Sequence, residues 1–277
     1  MNKIRLIVPL LLAAFACGTV ARAAGTLKVC ADPDYLPYSN RAGQGFENAL
    51  ARYVAKTMGK RLEYVWGNTR GHGGYEQFLA TTLDKGRCDM VMSMPYGNQE
   101  ELTTDPYYVS SYVMVFKKNK GYNLRSLNSL IQTHLKIGFE SDTPVETGLQ
   151  LRGLVLKAKP FNVGGTPGES PKTVLQAVQN GTVDVMLTWQ PSIGAYLHQY
   201  PDLTTVKIPN SRATGSPEMY SFPMSMAVRT GDKALHKRLD ALIKKHHAAL
   251  DHILEQHGVY LVGENEGSDS MADNAGH

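Results

Sequence analysis

The sequence predicts an α/β protein built from two lobes with a cleft between them. Strand patterns and helix patterns alternate along most of the chain, which is typical of βαβ units. The first strand pattern, 27–31, runs into a loop rich in Pro, Tyr and Gly that leads to a helix at 46, and ligands of open α/β sheets bind at such strand ends. Two polar linkers, 117–121 and 210–218, divide the chain so that its first and last parts form one lobe. Two crossing segments of this kind make a hinge.

The first lobe is predicted to comprise residues 26–117 together with 219–262. In the segment 46–58, Phe46 and Leu50 fall on one helical stripe, and Gly59 ends the helix. The run 88–94 is largely apolar, so we expect a buried strand there. The predicted elements of this lobe are strands at 27–31, 61–66, 88–94, 109–117 and 219–229, and helices at 46–58, 75–85 and 233–257.

The second lobe is predicted at 122–212. Its strands alternate with helices, so we expect mostly parallel pairing, as in the first lobe. Pro171 is typical of a helix start and Gly181 of a helix stop. The predicted elements are strands at 135–139, 160–164, 183–188 and 203–208, and helices at 126–133, 144–156, 171–180 and 191–199.

Residues 1–23 have the pattern of an export signal peptide. Lys3 and Arg5 precede an apolar run, 6–16, that is too short to span a bilayer, and 21–23 ends in a small-x-small cleavage pattern. No other apolar run approaches the length of a membrane span. We therefore expect a protein exported from the cytoplasm, without a membrane span.

The charge of the mature chain is close to zero. Signal removal takes three of the 29 basic residues and none of the 25 acidic residues, which leaves a net charge of +1. Nucleic-acid binding requires a strongly basic face, so we expect no nucleic-acid partner. Residues 263–277 carry four acidic residues and almost no apolar ones, which predicts a disordered acidic tail.

Two cysteines remain in the mature chain. Cys30 lies near the end of the first predicted strand, and Cys88 begins the third. In an oxidising compartment an even pair predicts a disulfide, provided that these strands are neighbours. The alternative is a pair of small buried thiols.

Five stretches of the sequence resemble a known family of exported proteins. They are VCADPDYLPYSN (29–40), GFEN (45–48), GRCDMVMSMP (86–95), LTTDPYYVSSYVMVF (102–116) and VDVMLTWQP (183–191). With the two lobes and two crossovers, they resemble a type II periplasmic binding protein over essentially the whole mature chain. More narrowly, they resemble the MxaJ/XoxJ group, periplasmic accessory proteins encoded with PQQ-dependent methanol dehydrogenases. Our preferred interpretation is XoxJ-like, which implies a lanthanide-dependent enzyme, in its apo or immature form, as the partner.

The resemblance also identifies positions where relatives that bind amino acids carry charges, and this sequence lacks them. Such relatives place an Arg nine residues before the Pro of an Asp-Pro-Tyr run, where this chain has Gly97. They place an Asp two residues before the Pro that follows the last strand of the second lobe, where this chain has Trp189. Where such relatives have a Gly-Thr-Thr turn, this chain has Asp-Thr-Pro at 142–144. Asp142 would repel a ligand carboxylate there, and Pro144 lacks an amide N–H that could bind one. A zwitterionic amino acid would therefore be desolvated here without gaining a counter-charge.

Aromatic and amphipathic side chains lie near the predicted strand ends instead. Tyr and Trp supply large contact areas at low entropic cost and favour contacts between proteins, although core packing is the alternative for each of them. The Gly-rich loop 67–74 brings in an Arg and a His as well. The predicted cleft residues are Tyr35, Tyr38, Trp66, Arg70, His72, Tyr75, Tyr96, Tyr107 and Trp189.

Patterns typical of catalysis or metal binding are missing from the sequence. It has no Gly-x-Ser-x-Gly elbow, and Glu140 and Asp142 do not form a loop of alternating oxygen ligands. His247 and Asp251 fit a solvated helix face. We expect no catalytic residues, no metal and no cofactor. The predicted function is accessory binding of a partner segment in the cleft; the alternative is the solute-binding component of an ABC importer for a small molecule other than an amino acid.

Overall fold

The computed structural model describes residues 25–163 and 170–262. The predicted signal peptide, 1–23, and the predicted acidic tail, 263–277, lie outside the described residues. Within them the strands are β1 (Thr26–Ala31), β2 (Asp34–Tyr35), β3 (Ser39–Asn40), β4 (Arg61–Trp66), β5 (Val91–Pro95), β6 (Leu102–Thr103), β7 (Tyr108–Lys117), β8 (Ile137–Glu140), β9 (Lys159–Phe161), β10 (Val185–Trp189), β11 (Leu203–Lys207) and β12 (Ser221–Val228). The α-helices are α1 (Phe46–Thr57), α2 (Gly74–Thr81), α3 (Pro144–Leu151), α4 (Lys172–Gln179), α5 (Gln190–Ile193) and α6 (Lys233–Gln256).

The chain begins with a parallel β1–α1–β4 unit. β1 and β4 pair along their whole length. The helix α1 connects them in the sequence, and its residues Phe46 and Leu50 are fully buried. A bridge between Val29 and Met90 brings the chain just before β5 beside β1. This placement also joins Cys30 to Cys88 in a disulfide, with 5.6 Å between their Cα atoms.

The largest sheet follows the order β5-β12-β7-β10-β8-β9, with β11 also on β7 and β6 also on β12. The first half of β7 pairs with β12, and its second half pairs with β10 and β11. All three of these pairings with β7 are antiparallel, so the expectation of mostly parallel sheets is wrong for the centre of the molecule. A chain that leaves one lobe along β7 and returns along β12 must run in opposite directions along the two strands. Parallel pairing is found for β1–β4, β10–β8 and β8–β9.

Buried apolar side chains form several clusters that draw on different parts of the chain. One cluster combines residues of β1 and α1 with residues of β12 and α6, including Leu27, Met226 and Leu250. Two others lie in the middle of the sequence, on either side of β10, around Val185 and Met186. The predicted lobe boundaries stay a prediction.

Several helices are shorter than the sequence pattern predicts. α2 ends at Thr81 and is followed by turns through 82–89, so the next strand begins at Val91 instead of 88. α3 ends at Leu151, because Gly153 takes a left-handed φ of 65°. The helices predicted at 126–133 and 191–199 are largely 3₁₀, at Leu127–Leu130 and Gly194–Gln199. The short strands β2, β3 and β6 were not predicted.

Candidate functional site

The loop between β1 and α1 brings two tyrosines to the carboxyl end of β1. β2 and β3 pair in this loop, Tyr35 opposite Ser39. The rings of Tyr35 and Tyr38 stack with 4.7 Å between centroids and 26° between planes. Gly45 is required where the loop enters α1, since a Cβ there would lie 2.0 Å from the carbonyl oxygen of Tyr38. Close packing of the loop against the start of α1 therefore sets the position of both rings.

Tyr38 links this loop to the second lobe. Its hydroxyl lies 2.8 Å from Oγ of Ser192 on α5, either of which can donate the hydrogen bond. The residue preceding α5 is Trp189, at the end of β10, and its ring packs against Tyr112 and Phe222 with centroids 5.1 and 6.1 Å apart. Aromatic rings from β7, β10 and β12 thus meet the Tyr35–Tyr38 pair at the junction of the lobes.

Two adjoining cavities lie at this junction. The first, which we call the Glu47 cavity, has a volume of about 210 Å³ and is bounded by Asp32, Glu47, Tyr75 and Ser93, among others. The second, the Glu140 cavity, has a volume of about 380 Å³. Its distinctive walls are Tyr112, Glu140, Pro144, Ser192 and Phe222. Tyr35, Tyr38, Pro95, Trp189 and Met224 line both cavities.

Glu47 is the acidic group of the first cavity. It lies in the first turn of α1, and its backbone N–H donates to the carbonyl oxygen of Tyr38. Burial disfavours the charged carboxylate and raises its pKa to about 7, against the lowering effect of a hydrogen bond with Ser93. The pKa of Glu47 therefore lies near neutral pH instead of well below it.

Glu140 is the acidic group of the second cavity, at the end of β8. Its Oε2 accepts hydrogen bonds from Oγ1 of Thr188 at 3.0 Å and from the backbone N–H of Trp189 at 3.1 Å. Both hydrogen bonds favour the carboxylate, but burial outweighs them and raises the pKa to about 7. Burial is the main cause that raises the pKa of Tyr35 and of Tyr112, and the negative charge of Glu140 adds to both increases.

Asp32, a third acidic side chain, is fully paired. Its Oδ2 accepts hydrogen bonds from the N–H and the hydroxyl of Thr69, both at 2.8 Å, and Arg70 approaches its Oδ1 to 3.6 Å. The Arg70 guanidinium also lies 4.7 Å from the centroid of the Tyr35 ring. Arg70 therefore neutralises Asp32 and supports Tyr35.

Four of the nine predicted cleft residues line the cavities. Tyr35, Tyr38, Tyr75 and Trp189 do so directly, and Arg70 contacts Tyr35 from behind. Tyr75 is held by a hydrogen bond from its hydroxyl to the carbonyl oxygen of Ser93, at 3.0 Å.

The other four predicted residues line neither cavity. Tyr107 is fully buried in the core, where its hydroxyl donates to the carbonyl oxygen of Met92 at 2.8 Å; it directly precedes β7, and its backbone N–H donates to the carbonyl oxygen of Met224 on β12. Trp66 stacks on Tyr64 of the same strand, 4.6 Å between centroids, and lines neither cavity. His72 and Tyr96 are exposed and also lie outside both linings.

Sequence reasoning missed the two carboxylates and the rings of Tyr112 and Phe222. Glu47 lies within the GFEN stretch, directly after the loop that was singled out as the cleft wall. Glu140 ends a strand, so the rule that places ligands at strand ends could have found it. Tyr112 and Phe222 carried no such signal, since both lie inside strands and reach the cavity through the pairing of β7 with β10 and β12.

Basic side chains are absent from the walls of both cavities: in the part of the chain that the structure describes, no Lys, Arg or His lines either of them. Trp189 stands in both linings, at a position where amino-acid-binding relatives are expected to carry an Asp. Asp142, with a φ of 58°, borders a separate groove of about 650 Å³ between α3 and the segment 217–222.

Within 25–163 and 170–262, His, Cys, Asp and Glu side chains nowhere gather in groups of three or more that could hold a metal ion. His247 Nδ1 lies 2.9 Å from Asp251 Oδ2, one turn further along α6. Every helix in these ranges is too short or too polar to cross a bilayer.

The two-lobed fold with ligand-sized cavities at its junction defines a binding protein of the exported solute-binding class. The family model described as bacterial extracellular solute-binding proteins, family 3, matches residues 27–259, and the chain belongs to that family. Among curated proteins, the chain is similar to Protein MoxJ of Methylorubrum extorquens strain AM1, with 29% identity over 85% of this chain and 81% of the relative. It is also similar to Protein MoxJ of Paracoccus denitrificans, with 25% identity over 90% and 94% of the two chains.

Solved structures give the same result. The crystal structure of MxaJ from Methlophaga aminisulfidivorans MPT superposes with a TM-score of 0.74, at 25% identity over 85% of this chain and all of that one. The periplasmic binding protein XoxJ from Methylobacterium extorquens AM1 has a TM-score of 0.68, at 25% identity over 86% of this chain and all of that one. The resemblance to the MxaJ/XoxJ group and the periplasmic binding protein fold are thereby confirmed. Since both kinds of relative match, the preference for the XoxJ-like subgroup stays a prediction.

Proposed function

We propose that this chain is a non-catalytic periplasmic accessory protein that supports activation or maturation of a PQQ-dependent methanol dehydrogenase, by holding a segment of the immature enzyme in its aromatic cleft. Two lines of support meet here: the similarity to MoxJ, MxaJ and XoxJ proteins, and the lining of the cavities. A lanthanide-dependent enzyme is the preferred partner, and the metal and PQQ belong to that partner.

The observation that carries the proposal is the charge of the cavity walls. Glu47 and Glu140 line them, and no basic side chain of the described residues does. A free amino acid would bring its carboxylate beside these carboxylates and would lose its hydration without a counter-charge, which costs several kcal/mol. Rings such as Tyr35 and Trp189 instead offer the large, preorganised contact surfaces that are enriched where proteins bind one another.

Capture of the apo-dehydrogenase tests the proposal directly. The mature chain is immobilised, and the dehydrogenase, purified without PQQ and metal, is passed over it in an interferometry experiment. We expect saturable binding, and we expect Trp189→Ala to weaken its affinity at least tenfold. The reason is that truncating an aromatic hot spot costs about 2 kcal/mol or more of binding free energy. Tyr96→Ala is the matched control, since Tyr96 is an exposed ring outside both cavities, and it should leave the affinity unchanged. Equal affinity of the Trp189 and Tyr96 variants would contradict the proposal.

A second candidate is the solute-binding component of an importer. The 380 Å³ of the Glu140 cavity lies within the size range of small-molecule pockets, and the Tyr38–Ser192 hydrogen bond joins the lobes around it. An importer component should gain about 4 kcal/mol of stability at a thousandfold excess of its solute over the dissociation constant. A thermal-shift screen of uncharged, aromatic and metal-chelating solutes distinguishes the two functions, since the accessory protein should respond to none of them.

A further inference from the structure

The Glu140 cavity combines one carboxylate with several aromatic rings, and the carboxylate is only half used. Oε2 of Glu140 accepts both hydrogen bonds, from Thr188 and Trp189. Within the described chain, Oε1 has no hydrogen-bond or ion-pair partner, although Glu140 lines the cavity wall. Glu140 is only partly buried, so Oε1 can be reached from the cavity, and a positively charged group that reached it would offset the cost of holding a carboxylate among aromatic rings.

The rings around Glu140 favour the same kind of ligand. Tyr35, Tyr112, Trp189 and Phe222 all line the cavity, and the faces of aromatic rings attract cations. The ring of Tyr35 already contacts the Arg70 guanidinium, 4.7 Å from its centroid, and stacks on Tyr38, so the rings left for a ligand are those of Tyr112, Trp189 and Phe222. Glu140 is the acidic side chain of this lining, and no Lys, Arg or His of the described residues lines the cavity, so the lining carries a net negative charge when Glu140 is ionised.

We propose that the Glu140 cavity binds a cationic group, an ammonium or a guanidinium, with Glu140 as its counter-ion and the surrounding rings as its cage. The proposal rests on the proposed function for its source: a Lys or Arg side chain of the partner protein supplies the cation. No Lys, Arg or His of the described chain lines the cavity, so the charge must come from the ligand. The alternative source is a free organic cation.

The two tryptophans of the chain provide an internal control for the binding experiment. Trp189 lines the cavity, whereas Trp66 lies on Tyr64 outside it. With ¹⁵N-labelled tryptophan, the two indole N–H signals are followed by NMR during titration with n-butylammonium, n-butylguanidinium, 1-butanol or butyrate. We expect the cations to shift the Trp189 signal saturably and not the Trp66 signal. Dissociation constants for 1-butanol and butyrate should be at least tenfold higher.

Two variants separate the charge of Glu140 from its structural role. Glu140→Gln keeps the hydrogen-bond acceptor for Thr188 and Trp189 but removes the charge, and it should raise the dissociation constants of both cations at least tenfold without changing that of 1-butanol. Glu63→Gln, at an exposed position of β4, should change none of them. Binding of 1-butanol or butyrate as tightly as the cations, or equal cation affinity in Glu140→Gln and the wild type, would overturn the proposal.

Capture of the apo-dehydrogenase decides the source of the cation. If a partner side chain enters the cavity, Glu140→Gln weakens capture at least tenfold, and saturating n-butylguanidinium competes with it. Tight binding of the small cations with capture unaffected by either treatment would overturn the partner as the source while leaving the cation site in place. If Trp189→Ala weakens capture but neither Glu140→Gln nor n-butylguanidinium changes it, the cation site is overturned while the proposed function is still supported.

Discussion

The two cavity carboxylates should make the protein less stable as the pH rises towards and beyond neutrality. The pKa of Glu140 is about 7 in the folded protein, whereas its ordinary value of 4.5 applies to the unfolded chain. Between these two pH values the folded state therefore keeps a proton that the unfolded state has released. The contribution of Glu140 to the free energy of unfolding therefore falls as the pH rises through this window, and this contribution is largest below about pH 4.5. Glu47 behaves in the same way, with the same two pKa values.

The size of the effect follows from the pKa difference. A difference of about 2.5 units at about 1.4 kcal/mol per unit gives about 3 kcal/mol per carboxylate as an upper limit. Both side chains line cavities and keep some contact with water, which screens the charge, so we expect about 1–3 kcal/mol for each. Glu140→Gln should then be about 1–3 kcal/mol more stable than the wild type at pH 8 and equal to it at pH 4, because the amide is neutral and still accepts the hydrogen bonds from Thr188 and Trp189.

Urea unfolding followed by circular dichroism at pH 4, 6 and 8 measures these differences. The exposed Glu63→Gln serves as the control and should follow the wild type within about 0.5 kcal/mol at all three pH values. Combining Glu47→Gln with Glu140→Gln should flatten the pH dependence further. A stability difference between Glu140→Gln and the wild type that is the same at pH 4 and pH 8 would refute the assignment of a raised pKa to this carboxyl group.

Three further changes test the packing that positions the cleft. Replacing Cys30 and Cys88 together by Ser should lower the free energy of unfolding by about 4 kcal/mol in urea denaturation, since the disulfide spans 58 residues, and a reducing agent should then have no further effect. Arg152→Met should lower the free energy of unfolding by about 3–5 kcal/mol in the same assay, because the side chain of Glu218, which is 4% exposed, loses its ion pair at 2.6 Å. Adding Glu218→Gln to this variant should recover part of the lost stability. No recovery would argue against an ion-pair role. Tyr38→Phe should cost about 1 kcal/mol by removing the hydrogen bond between the lobes, and a cost near zero would show that this bond does not hold them together.

Much of the fold could be predicted because its signals are local. β4 occupies the predicted residues, and α1, β7 and α6 lie within one residue of the predicted bounds, since each is long and strongly periodic or apolar. The failures lie where local preference is weak. The turns at 82–89 and the 3₁₀ segment Gly194–Gln199 depend on contacts that no short window contains, such as Gly194 against the backbone of Gly258, where a Cβ would lie 2.0 Å from the carbonyl oxygen.

The site was predicted only in part, for a related reason. Tyr35 and Tyr38 follow a strand end directly, so their place at the cleft could be read from the chain. Tyr107 also follows a loop in a Tyr-rich run, but it is fully buried in the core cluster that β12 and α6 share with β1 and α1. A ring near a strand end can face the cleft or the core, and only the packing of neighbouring strands decides which.

The sequence by itself determined the α/β class, the kinship with the MxaJ/XoxJ group, the export pattern and the lack of an Arg at Gly97 and an Asp at Trp189. These features depend on residue type and short-range spacing. Only the tertiary structure decided that Glu47 and Glu140 border the cavities at the junction of the lobes, and that Tyr112 and Phe222 close around the second one. The burial of these carboxylates and the electrostatic field in the cavities depend on residues that are far apart in the chain. The charge preference of this cleft could therefore be inferred only from the sheet in which β7, β8, β10 and β12 come together.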